Sequence, residues 1–206
     1  MDGRVIPLPS LRALGEAGTG SEAVQEQIAV LSVELRPVEG ESRELPGLVP
    51  EVIERIHERC IRAALVVAGR RGGRLSLAGT STHPVVEARF RGAGAAARAA
   101  NAALEIAGAV AESQRSDERR MEACVGVGVG EASMSPVGVR ITRGSPLRVA
   151  ERLRELAGPG IVLLGGAGAE EAALELGADP QQGPRMDPSM PPVPTWCLST
   201  QIDDRT

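Results

Sequence analysis

Few side chains in this sequence have both the type and the spacing to do chemistry. Arg148 and Arg152 stand one turn apart in GSPLRVAERL, directly after the helix-start signal Ser145-Pro146. Two guanidiniums near a helix N-terminus can hold an anion, most naturally a phosphate; the plainer reading is that both solvate the surface. His57 sits among charged neighbours in a helical pattern, and His83 precedes a proline in a loop. Neither has a cysteine, aspartate or second histidine at ligand spacing, so no metal is expected on them. No serine lies in a nucleophile-elbow context. The turn GGAGAEE has neither a Walker lysine nor GxGxxG spacing, so it reads as a connection and not a phosphate loop.

Composition narrows the classes further. The 206 residues carry a net charge of -4, no lysine, and only Phe90 and Trp196 as aromatics. Nucleic-acid binding normally shows a basic patch interleaved with aromatics, so it is not expected, although arginines 70, 71, 74, 89 and 91 form a local cluster in sequence. Cys60, Cys124 and Cys197 are odd in number and widely spaced, giving neither a disulfide framework nor a zinc knuckle. No apolar run reaches the roughly 18 residues of a membrane span. These features together predict a soluble, cytoplasmic chain without a membrane partner, its core built from Ala, Val, Leu and Ile.

The elements that must position Arg148 and Arg152 follow from periodicity. IAVLSVEL (28–35) is a strand apolar enough to be central, ending near Glu34. Residues 51–68 form a helix with Val52, Ile56, Cys60, Ala63 and Val67 on one side. Arg74–Ala78 and Val85–Phe90 read as a hairpin. Residues 93–113 form an alanine-rich helix with Ala96, Ala100, Ala103, Ala107 and Val110 inward. In CVGVGVG (124–130), valines alternate with Gly126, Gly128 and Gly130, which leaves one strand face bare for close approach; the alanine-rich helix is the expected occupant. A helix from Pro146 follows, with Val149, Ala150, Leu153, Leu156 and Ala157 as its apolar stripe. A short strand at 161–164 and a short helix at 169–176 close the series.

The resulting order predicts an α+β fold with a ferredoxin-like β-α-β-β-α-β core and additional C-terminal β/α elements. Helices are expected on one sheet face, with the other face open to a partner or ligand. Residues 1–27 read as an N-terminal arm, 28–176 as the domain, and 177–206, with six prolines, as a disordered or docking tail that offers Trp196 as an anchor for a protein partner.

Across 28–176 this order and spacing resemble the class III nucleotidyl cyclase domain, the adenylate/guanylate cyclase catalytic fold. IAVLSVELRPV resembles the family's opening strand, and the resemblance implies that Glu34 stands at the first metal-binding aspartate and Ser32 at a phenylalanine. GGRLSLAGTSTHPVVEARF resembles the glycine-aspartate hairpin, with Thr80 where the second metal-binding aspartate belongs and Ser76 where the purine-reading lysine belongs. GSPLRVAERL resembles the segment that supplies a transition-state asparagine and arginine, so Arg148 replaces the asparagine and Arg152 matches the arginine.

Cyclisation of a nucleoside triphosphate in this family needs two divalent ions held by paired carboxylates. Glu34 is a weak candidate ligand for magnesium, Thr80 cannot replace a bridging carboxylate because its hydroxyl is neutral, and Glu87 is a remote substitute. The resemblance therefore implies a catalytically inactive relic that needs no cofactor. Its role would be regulatory or in assembly, as a homodimer or as a heterodimer with a related cyclase-like domain. The alternatives are a nucleotide or phosphate sensor using Arg148 and Arg152, and a divergent active cyclase using magnesium or manganese.

Overall fold

The computed structural model describes residues 24–37, 50–80, 84–112, 121–135, 138–143, 145–189 and 191–199. Strand β1 (Val24–Pro37) is followed by α1 (Pro50–Arg70), the hairpin β2 (Arg74–Gly79) and β3 (Pro84–Arg91), and α2 (Ala95–Glu112). Then come β4 (Met121–Ser135), β5 (Gly138–Arg143), α3 (Pro146–Leu156), β6 (Ile161–Gly166), α4 (Glu170–Glu175), β7 (Asp179–Gln181) and β8 (Thr195–Ser199). The first six elements are the expected ferredoxin-like core, and the rest extend it at the C-terminal side. His83 and residues 1–23 lie outside the described residues.

The sheet runs β2-β3-β1-β4-β6-β8-β7, with β5 pairing the far end of β4. As its apolar run implies, β1 is central, antiparallel to both β3 and β4. Alternation sends Leu31, Val33, Val125, Val127, Val129, Val86 and Phe90 to one face, where they meet Cys60, Ala64 and Val67 of α1 and the alanines and Ile106 of α2 in the main core. In α1 the buried stripe continues through Ala64 and Ala68, and Ala63 is half-buried.

The glycine face of β4 receives α3, not α2. A Cβ placed on Gly128 would fall 2.7 Å from the Ala150 backbone nitrogen and closer still to the Pro146 carbonyl oxygen; on Gly126 it would strike the Ala150 carbonyl and the Arg154 backbone nitrogen. The alanine-rich α2 packs on the valine face instead, because those side chains supply the apolar surface that a helix of small residues needs. The second sheet face is therefore only partly open. Ile28, Val30, Ala132 and Ala150 form a small second core there, with Leu147 against it. Within α3, Leu156 is 49% exposed and so lies off the buried stripe. Ser145 occupies the N-cap with extended backbone, but its hydroxyl makes no capping hydrogen bond.

The expected domain boundary at residue 176 also moves. Residues 177–189 and 191–199 do not form an external tail, since β8 pairs antiparallel with β6 from Gly165–Thr195 to Ile161–Ser199, and β7 pairs with β8. Trp196 lies opposite Leu164 and Pro180, half-buried against the main core, so it anchors the chain's own strand β8. Periodicity missed β8 because only five residues among many prolines carry it, and its hydrogen-bonding partner β6 is about thirty residues away in sequence.

Candidate functional site

On the α3 side of the sheet, register sets Ser32 and Glu34 of β1 beside Glu87 and Val85 of β3, and opposite Gly126 and Cys124 of β4. Because Glu34 faces Val85 and Ser32 faces Glu87, the two carboxylates are diagonal neighbours on one face. Ser76 of β2 lies across from Glu87, and its hydroxyl is 3.4 Å from Glu87 Oε2. Thr80 follows Gly79 at the same end of the sheet as Glu34. Register thus brings Glu34, Ser76, Glu87 and Thr80 into one region of the β1, β3 and β2 strands.

Glu34 is engaged by arginine. Arg36 Nη2 donates to Glu34 Oε2 at 2.7 Å, and Arg154 Nε lies 3.5 Å from the same oxygen, inside ion-pair range though not aligned as a hydrogen bond. Arg154 Nη1 donates to Ser32 Oγ at 3.2 Å. Both Arg154 and Glu34 side chains are only 14% exposed. The carboxylate hydrogen bond holds the Arg36 guanidinium above its ordinary range, against the opposing effect of burial. Beneath this network, burial pushes the Cys124 thiol up, and Arg36 works in the other direction.

Arg148 and Arg152 are not part of this cluster. Both are exposed on the outer side of α3, where Arg152 Nη1 donates to Glu155 at 2.9 Å. With Arg185 and Met186 from the segment between β7 and β8, and with Glu151 and Glu155, they line a shallow cavity of about 190 Å³. Three guanidiniums and two carboxylates make this a mixed-charge surface, not a clean anion clamp. The α3 residue that does reach Glu34 is Arg154, which the sequence reading did not single out. A signal was present: Leu147, Ala150 and Arg154 fall at i, i+3 and i+7, so Arg154 continues a buried stripe.

The donor set does not fit a pair of divalent ions. Glu34 Oε2 lies against two guanidiniums, Glu87 is buried with Ser76 against it, and Thr80 brings only a neutral hydroxyl. Among the described residues, no group of three or more His, Cys, Asp or Glu side chains is placed to hold a metal. The arginines named as a sequence cluster also separate. Arg70 and Arg71 both bind Glu105 of α2, whereas Arg74 and Arg89 face each other across the β2–β3 pair.

Solved cyclase structures share this arrangement. The adenylate/guanylate cyclase/hydrolase from Silicibacter pomeroyi superposes with a TM-score of 0.62 at 18% identity, over 86% of this chain and 98% of the other. The adenylyl cyclase CyaB from P. aeruginosa gives 0.62 at 14% identity, over 86% and 95% of the two chains. The guanylyl cyclase Cya2 gives 0.61 at 19% identity, over 86% and 93%. The fold is that of a class III nucleotidyl cyclase catalytic domain. No protein-family profile matches the chain by sequence, nor does any curated protein. At such identities the likeness establishes the architecture, and the cyclase fold is here combined with a carboxylate that arginines already hold. No helix among the described residues is long and apolar enough to cross a membrane.

Proposed function

We propose that this chain is a cyclase-fold domain without cyclase activity, working as a regulatory or assembly module that pairs with another cyclase-like domain, either a second copy or a relative. The observation that carries this reading is the pairing of Glu34 with Arg36 and Arg154. At the position that resembles a metal-binding aspartate, two tethered cations supply the charge that a divalent ion would bring. A guanidinium neutralises a carboxylate but leaves no open coordination position for phosphate oxygens. Thr80 deepens the deficit, since losing one ion from a two-ion phosphoryl site costs several kcal/mol and hence orders of magnitude in rate. The sensor alternative has less support, because Glu151 and Glu155 stand among the arginines that would bind the anion.

The test is incubation of the purified chain with ATP or GTP and manganese. No cyclic nucleotide above the protein-free background is expected. Steady formation of cyclic nucleotide, abolished by Glu34→Ala, overturns the proposal. A thermal-shift series with nucleotides addresses the sensor alternative, because a specific ligand of the folded state must raise its stability.

A further inference from the structure

The two ends of the sheet order are unlike. One edge, β7, has three residues, and Pro180 at its centre has no N–H to offer a neighbouring strand. The other edge, β2, runs six residues from Arg74 to Gly79, all exposed, with neither proline nor lysine. Among the described residues, no strand lies beside its outward backbone groups in the sheet. Two large apolar side chains lie along it, Leu75 at 41% and Leu77 at 62% exposure. Open, apolar edges are templates for another strand, and natural proteins that remain monomeric blunt them with charge, proline or bulges.

We propose that a second copy of this chain covers this edge, the two β2 strands pairing antiparallel about a twofold axis at Ser76. The side-chain pattern of β2 is self-complementary in that register. Leu75 of each copy faces Leu77 of the other, Arg74 faces Ala78, and Ser76 faces Ser76, so residues 74–78 all pair and no like charges are opposed. A one-residue slip would set leucines against the polar face of the partner strand. Charge also selects the register, because Arg74 already faces Arg89 inside its own sheet and cannot accept a second cation opposite it.

Leu75 lies under the C-terminal end of α1, where a Cβ on Gly69 would be 3.7 Å from Leu75 Cδ1, so pairing extends the existing core across the axis. Five paired residues per strand give a contact at the small end of interface sizes, and the dimer therefore exchanges at about micromolar concentrations.

The proposal deepens the assembly reading by naming the partner and the contact. Sedimentation of the full chain over about a hundredfold range of concentration is the primary measurement, with dimer expected at the upper end. Leu77→Glu changes an exposed residue and leaves monomer stability nearly intact, and it is expected to raise the dissociation constant about tenfold or more. Ser76→Cys places two thiols at the axis, and mild oxidation is expected to yield a covalent dimer that the wild type does not form. A wild type that stays monomeric throughout overturns the proposal. So does a dimer that Leu77→Glu leaves unchanged and Ser76→Cys fails to cross-link; that result would keep the assembly reading and move its contact elsewhere. Cyclic nucleotide formation by the same preparation would overturn the inactive reading alone.

Discussion

The contact between Arg154 and Glu34 can be measured directly by a double-mutant cycle of Arg154→Met and Glu34→Gln. Methionine keeps the aliphatic bulk that fills the space beneath α3 and removes only the guanidinium. At 3.5 Å and an effective dielectric near 20, Coulomb attraction between full charges is about 4–5 kcal/mol, and both side chains are only 14% exposed, so salt screens little of it. Desolvation of both groups offsets most of that gain. Glu34 also keeps Arg36 at 2.7 Å after the substitution, which limits the loss further. The expected coupling is about 1–2 kcal/mol, and Arg154→Met alone should cost about 1–3 kcal/mol, because Ser32 Oγ also loses its donor. Urea denaturation of the four proteins measures this. A coupling within about 0.3 kcal/mol of zero would refute the argument, for Glu34 would then be available to a metal ion and the inactive reading would lose its main support.

Gly128→Ala should destabilise the fold by more than about 3 kcal/mol or prevent folding, whereas Gly108→Ala, where a Cβ meets nothing within 4 Å, should be neutral or stabilising by about 0.5–1 kcal/mol; thermal melts compare them. Trp196→Ala should cost about 3 kcal/mol and loosen the C-terminal strand, seen as faster amide exchange at residues 161–165, the partners of β8. Burial raises the folded-state pKa of Cys124 above its ordinary 9.0, so the folded state keeps a proton that the unfolded chain releases. That contribution is complete below pH 9 and is lost as the pH rises through the folded value. Urea midpoints at pH 7.5 and 10 should therefore show a decline that Cys124→Ala reduces, the remainder including Cys197, whose thiol burial also raises.

Much of the architecture was legible because it depends on local pattern. The valine-glycine alternation of β4, the proline at the start of α3 and the apolar run of β1 each determine an element without reference to distant residues. The expectation of a carboxylate deficit likewise came from residue identities, Thr80 and Glu34, and not from their positions in space. Neither the occupant of the glycine face nor the role of β8 could be read in this way. Glycine announces that something approaches closely, but α2 and α3 both have small residues to bring, and only the placement of the valines against the larger core decides between them.

The sequence by itself determined the order of elements from β1 to α4, the scarcity of chemical groups, and the neutral hydroxyl at Thr80, because side-chain chemistry and short-range periodicity are carried in the chain itself. The tertiary structure alone decided that Arg154, and not Arg148 or Arg152, reaches Glu34. That choice depends on how α3 is rotated over Gly126 and Gly128, which carries Arg154 to Ser32 and Glu34, more than a hundred positions away in the chain. The exposed edge of β2 was decided the same way, since a strand's place in a sheet is a property of its neighbours and not of its own residues.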